Sequence, residues 1–341
     1  RIALSLVDDL TELLTVLLNG SRSVVAGRLA GALRALGRTE QANTIVSTMK
    51  SADYVVIETS PFDVVPPALP GGRPESPYAQ RLRVTWEQMR EVVIEHLPAP
   101  SALPTDIGAA LKEVEDRYVS DAYHSLSIEG YRVTPELIER VRSGTWDPDG
   151  QDKGTRDAMA AKGYFETHTE VAAFIERELN NPHPTYAVRD ALSSWHRALF
   201  SPSVQAGLLK PGDLAGWRND QVYIRGAIHV PLSKEAVREC MPVLFELISA
   251  EQHPGVRAVL GHFFFVYIHP YMDGNGRLGR FLTNAMLVTG GYVWTVVPVE
   301  QRKPYMDALE QASTGHDIAG FSAFLGQLIR EQTAAPLKRP A

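Results

Sequence analysis

One short stretch restricts the fold more than any other. Gly274-Asn275-Gly276 joins two apolar segments, "VRAVLGHFFFVYI" over 256–268 and "RLGRFLTNAMLV" over 277–288. In the first segment Leu260, Phe264 and Tyr267 recur at helical spacing, so the glycines connect helix to helix. The same glycines complete G-x-G-x-x-G with Gly279, a pattern usually read as a dinucleotide fingerprint. That fingerprint needs its first glycine directly after a buried strand, so that the turn delivers a pyrophosphate to a helix N-terminus. Here a helix precedes it, and "HPYMD" intervenes. Glu300, 21 residues beyond Gly279 and after the strand-like "YVWTVVPV", stands where a ribose-binding carboxylate would. No further βαβ unit surrounds it, which weighs against a dinucleotide enzyme.

The rest of the chain reads as mostly helical. Its 341 residues allow one large domain or two ordinary ones, and 44% hydrophobic with 22% charged residues suits a full globular core. A net charge of −6 argues against nucleic acid as a partner. Arg22, Arg28, Arg34 and Arg38 share no helical face and read as solvated. Cys240 is the single cysteine, so no internal disulfide or C-x-x-C zinc cluster exists, which fits a reducing, cytoplasmic setting. The run "FFFVYI" is far too short to cross a bilayer, no signal-peptide pattern opens the chain, and no membrane association is expected. The first residue is Arg1 and not Met, as expected of a trimmed or processed product.

Helices are expected over most of 2–50, with "DYVVIE" at 53–58 as a strand candidate and the proline-rich 58–77 as an irregular connection. Thr105 is the expected N-cap of a helix ending at Gly130, and Thr134-Pro135 opens another. The Gly-, Asp- and Pro-rich stretch 141–158 reads as a loop. Helices follow at about 159–180, 187–200, 234–250, 255–268, 277–289, 303–311 and 317–330. Between them, "VYI" and "IHV" flank Arg225-Gly226-Ala227 and predict a β-hairpin over 220–233.

Charge gives the glycine turn its chemistry. Consecutive amides of Gly274, Asn275 and Gly276 at a helix start form an anion-binding nest. Arg277 and Arg280 follow in the first turn, where the helix dipole disfavours cations by roughly 0.3–1 kcal/mol each. Two guanidiniums beside a nest make sense if they meet phosphate. Asp273 is a hard oxygen ligand suited to Mg²⁺ carried on those phosphates. His269 is the group whose ordinary pKa suits proton abstraction near neutrality. His262 and His196 read as packed core histidines, Trp217 and Trp294 as core, and His229 as a hairpin residue within possible reach of substrate.

"HPYMDGNGRLGR" resembles the signature of the Fic-domain family, H-x-F-x-(D/E)-G-N-G-R-x-x-R, with Tyr271 where phenylalanine is usual. The likeness extends over roughly 105–330: "AGWRNDQVYIRGAIHVP" at 215–231 resembles the family's flap, and "YMDAL" at 305–309 the helix beside its adenine pocket. The resemblance implies a Fic-type helical bundle with a small β-hairpin flap. It divides the chain into an N-terminal helical region (1–57), a connection with a linking helix (58–104), the Fic domain with an inhibitory helix (105–330) and a tail (331–341). It implies a protein adenylyltransferase, carrying out AMPylation of a Ser, Thr or Tyr hydroxyl on a target or on itself from ATP and Mg²⁺. His269 would take the proton, and Asp273 would hold the metal. Gly274, Asn275, Gly276 and Arg277 would cradle phosphates, Arg280 would reach the γ-phosphate, and Tyr305 would lie near adenine. The target would dock by strand addition on the 220–233 hairpin. Whether the chain forms a homo-oligomer is left open.

"SLSIEG" at 125–130 matches the family's inhibitory pattern (S/T)-x-x-x-E-(G/N) through Ser125, Glu129 and Gly130. The resemblance implies autoinhibition, with Glu129 pairing to Arg280. Two alternatives keep the same fold: a Glu129-dependent hydrolase that removes AMP, and a non-catalytic nucleotide-binding regulator.

Overall fold

Small side chains set the packing of the first of two units, which divide between residues 75 and 76. Ala26, Ala30 and Leu33 of α2 (Ser23–Ala35) share a core with Ala42, Ile45 and Met49 of α3 (Thr39–Ser51), and Leu17 of α1 (Thr11–Asn19) joins them. The computed structural model describes residues 9–19, 22–58, 75–146 and 156–335. Thirteen α-helices and no β-strand are assigned among them. No described helix is long and apolar enough to cross a membrane.

The strand expected at 53–58 does not form. Residues 54–58 run over α2, where a Cβ on Gly27 would stand 2.0 Å from the Ile57 carbonyl oxygen. Arg34 fixes the end of this strap with bonds of 2.8 and 2.9 Å to Glu58 and stays exposed, as expected. Beside the segment lies a helix, which offers no ladder to pair with.

The second unit opens with α4 (Pro77–His96) and continues with α5 (Ile107–Ile128), α6 (Pro135–Arg142), α7 (Arg156–Asn180) and α8 (Val188–Gln205). It ends with α9 (Lys234–Ala250), α10 (Pro254–Ile268), α11 (Asn275–Val288), α12 (Arg302–Gly315) and α13 (Ala319–Ala334). Local chemistry starts these helices: the Ser76, Thr134 and Ser233 hydroxyls accept from the amides of Ala79, Leu137 and Ala236. The cap of α5 is Asp106, not Thr105, since its carboxylate accepts from the Ala109 amide at 3.0 Å. Much of the 58–77 connection, half of the expected 141–158 loop and the tail beyond 335 lie outside the described residues, while the loop's two ends continue the flanking helices α6 and α7.

Helix α11 is the axis of the unit. Thirteen of its fourteen residues are buried, and Gly276 is the exception. Such a helix draws its stability from packing on all sides, and Leu282→Ala is expected to lower the unfolding free energy by about 2–5 kcal/mol. The shift of the urea midpoint measures this.

The expected β-hairpin at 220–233 is also absent, and its backbone partners explain why. The chain turns at Ile224–Ala227, closed by an Ala227 amide bond to the Ile224 carbonyl at 3.1 Å. The amides of Ile228 and His229 both donate to Glu310 Oε1, at 3.0 and 2.8 Å. Pro231 has no N–H to give, and its carbonyl accepts from the Gln221 side chain at 2.9 Å. Side chains therefore occupy the positions a ladder would use. The strand-like 292–298 behaves similarly. Asn284 bonds both backbone groups of Thr295, at 2.7 and 3.1 Å, and Gln332 both of Val296, at 2.9 and 2.7 Å.

Candidate active site

Helix α10 ends at His269, whose backbone adopts the left-handed region at φ 56° and ψ 63°. Its Nδ1 lies 3.2 Å from the Val266 carbonyl, which can only accept, so the proton sits on Nδ1 and Nε2 is left as the basic nitrogen. Burial lowers the pKa of this ring, with Arg218 acting in the same direction. The neutral imidazole is thus the resting form near neutrality.

The loop from His269 to Gly274 is braced from within. Asn275 Oδ1 accepts from the Tyr271 amide at 2.9 Å, and its Nδ2 donates to the Tyr271 carbonyl at 2.8 Å. The Asn275 side chain therefore shapes the loop, and only its backbone amide remains for an anion. Tyr271 stacks on His196 at 3.9 Å, which makes His196 a packing histidine as expected. Gly274 caps α11 at φ 87°, and the first bond of the helix runs from the Leu278 amide to the Gly274 carbonyl. The amides before Leu278 have no partner earlier in the helix, as at any such terminus.

The two arginines diverge. Arg277 is buried, with its guanidinium 5.1 Å from the ring centres of both Tyr131 and Phe200. Its Nη2 lies 3.3 Å from Asp273 Oδ1. Asp273 also accepts from the Gly274 amide at 2.6 Å, while its side chain keeps 61% exposure at the loop's outer edge. Arg280 instead donates from Nε to Ser125 Oγ at 2.8 Å and from Nη2 to the Ser125 carbonyl at 3.0 Å. The same Nη2 donates to Glu129 Oε1 at 2.7 Å. Burial works against the charge on Arg280, and the Glu129 carboxylate outweighs it, holding the guanidinium protonated.

Glu129 does more than pair. A Cβ built on Gly276 would lie 2.3 Å from Glu129 Oε1. The carboxylate thus lies directly over the amide terminus of α11, where only glycine leaves it room. It gets there because α5 ends at Glu129, with Gly130 turning the chain at φ 87°.

One cleft is lined by Glu129, His269, Gly276, Arg280, Arg302 and Tyr305. Ile224, Ala227 and His229 of the flap segment and Met306, Leu309 and Glu310 of α12 form its other walls. Arg277 and Asp273 are not among its lining residues. Tyr305 is buried, and its hydroxyl lies 2.8 Å from His262 Nε2, while His262 Nδ1 lies 2.7 Å from Thr283 Oγ1. Thr283 donates to the Gly279 carbonyl at 2.8 Å. The donors therefore run from Tyr305 through a neutral His262 to Thr283, and burial lowers the His262 pKa to about 4. His229 stacks on Tyr267, and its Nε2 meets the Tyr267 carbonyl at 2.9 Å.

Sequence reasoning missed Arg218, Arg302 and Glu310. Arg302 opens α12, where a cation at a helix N-terminus is again out of place, and its Nε donates to the Ile128 carbonyl at 2.8 Å. Glu310 and Arg218 act on backbone groups, for which the residue pattern carries no signal.

Residues 186–287 match the Fic/DOC family model. The protein adenylyltransferase Fic of Aedes aegypti is 29% identical over 232 residues, 65% of this chain and 42% of that protein. That of Drosophila grimshawi is 28% identical over 246 residues, covering 71% and 47%. The matches thus span less than half the length of these relatives. Among solved structures, Fic-1 from C. elegans (aa 134–508) aligns with TM-score 0.54 and 19% identity, covering 98% of this chain and 90% of that one. A Fic domain-containing signaling protein from Bacteroides thetaiotaomicron aligns with TM-score 0.53 and 18% identity, covering 76% and 96%. The stretch 186–287 thus matches a Fic/DOC domain, and the fold is a Fic fold.

Proposed function

We propose that this chain is a protein adenylyltransferase that moves AMP from ATP to a Ser, Thr or Tyr hydroxyl, on a target protein or on itself. The observation that carries the reading is one cleft in which a neutral imidazole with a free Nε2, the Gly276 terminus and Arg280 converge. The hydroxyl oxygen attacks the α-phosphorus, its proton passes to His269 Nε2, and the bond to the β-phosphate oxygen breaks to release pyrophosphate. Amides at the start of α11 stabilise the charge that develops, which is worth most where water is excluded. The apolar wall of Met306 and Leu309 suits a base.

A single exposed carboxylate at the loop edge fits a Mg²⁺ that arrives on phosphates, because Mg²⁺ bound this way needs one or two protein oxygens. Asp273 would hold it, and when bound the ion neutralises phosphate charge. The target is proposed to dock against the flap at 220–233. Glu129 is the proposed brake, because its carboxylate overlies the anion terminus and engages the arginine that would reach a γ-phosphate.

A second reading is favoured by the same carboxylate. Glu129 and His269 share the cleft, an arrangement able to position water for AMP removal. Transfer is tested by pyrophosphate release and label incorporation from ATP, and removal by Glu129-dependent loss of label from a modified protein. The lowered pKa of His269 also sets a pH profile. A base must be neutral, and a depressed pKa keeps it neutral further into acid. The acid limb of kcat/KM is therefore expected below pH 6.5, the ordinary histidine value.

A further inference from the structure

Arg218 sits where the flap meets the loop that carries His269, and it is buried. Its Nε donates to the His269 carbonyl at 2.8 Å, and its Nη1 to the Asp220 carbonyl at 2.8 Å. Nη2 donates to the Leu232 carbonyl, and the Arg218 amide donates to the Pro270 carbonyl at 2.8 Å. Asp220 and Leu232 are the two stems of the flap segment. One guanidinium thus holds both stems and the backbone of the histidine.

Among the described residues, no other side chain bonds all three of these segments. Among the described residues no carboxylate forms an ion pair with Arg218, so its buried charge is met by carbonyl dipoles alone. A side chain chosen only to fill this space would not need a charge. The fixed fork of a guanidinium presents three separate nitrogens to carbonyls on three segments, whereas lysine offers all its donors from one nitrogen. One of the residues it holds is also strained: His269 has φ 56°, a left-handed backbone that a non-glycine residue holds only when its surroundings enforce it.

We infer that Arg218 is a positioning residue that makes the flap and His269 one mechanical unit. It keeps the histidine in the left-handed geometry from which its ring enters the cleft, so a target seated on the flap is registered against the base. The inference rests on reading His269 as the proton acceptor. Glu310 holds the flap tip to α12 through the Ile228 and His229 amides, so flap motion is limited at the far end and transmitted at the stems.

The test uses the full chain and two variants, Arg218→Gln and Arg218→Lys. The His269 three-bond HN–Hα coupling and Cα shift, measured by NMR, report its backbone geometry without any need for turnover. Both variants are expected to move these values away from the left-handed region. In the Glu129→Gly background, ATP affinity is expected to stay within about threefold while turnover falls about a hundredfold, the scale expected for an ångström of misplacement. A His269 signature unchanged in a folded variant overturns the inference, as does an equal loss of ATP affinity and turnover. If Arg218→Gln fails to fold, Arg218→Lys retains the charge without the fork and carries the same readouts. A parent Glu129→Gly chain with no transfer refutes the adenylyltransferase reading alone, since the NMR arm still decides the role of Arg218.

Discussion

Glu129→Gly is expected to raise AMP incorporation by about 10- to 150-fold. The contact it removes is a charge-assisted bond of 2.7 Å to a buried arginine, of a kind worth roughly 1.5–3 kcal/mol, which converts to that range. The Glu129 side chain is 32% exposed, so solvent screening favours the lower half. Two effects act together. The carboxylate leaves the space above Gly276, and Arg280 is left buried with its charge unmatched, ready for a phosphate. Glu129 ends α5 at φ −80° and ψ −2°, a conformation glycine adopts freely, so the helix should survive. Glu129→Gln separates the two effects: it keeps the bulk over Gly276 and removes the charge, and a smaller gain is expected. Label incorporation alongside ATP affinity measures both variants, and an unchanged rate in Glu129→Gly would remove the brake from the account.

His269→Ala is the second large effect. General base catalysis by a positioned side chain contributes about 10²–10⁴-fold, and that is the loss expected in turnover. ATP affinity should change little, because the phosphate terminus and Arg280 belong to α11. The left-handed backbone at 269 strains alanine as it strains histidine, so the backbone term should not separate the two proteins. An equal fall in ATP affinity would assign the histidine to binding instead of proton transfer.

Much of this site was legible because it is contiguous. The run 269–280 places an imidazole, a carboxylate, a nest and two guanidiniums within twelve residues, and the helices on either side announce themselves by apolar spacing. Ser125 and Glu129 lie 155 and 151 residues from Arg280, and only the motif joined them. The divergence of Arg277 from Arg280 was not legible. Residues three apart share a helical side, yet Tyr131 and Phe200 draw one guanidinium away from the cleft. The hairpin failed for a related reason. "VYI" and "IHV" have strand composition, but Glu310 and Gln221 take the bonds a ladder would need. Alternation in a sequence records exposure and not the identity of the backbone's partner. Arg218 shows the same limit, since its partners are carbonyls that every residue possesses.

AMP transfer is measured by incorporation of label from α-³²P-ATP with Mg²⁺, comparing the parent chain, Glu129→Gly and Glu129→Gly/His269→Ala. Weak labelling of protein is expected from the parent, strong labelling from the single variant and none from the double. No label from any of the three, on the chain itself or in a cell lysate, would contradict AMP transfer.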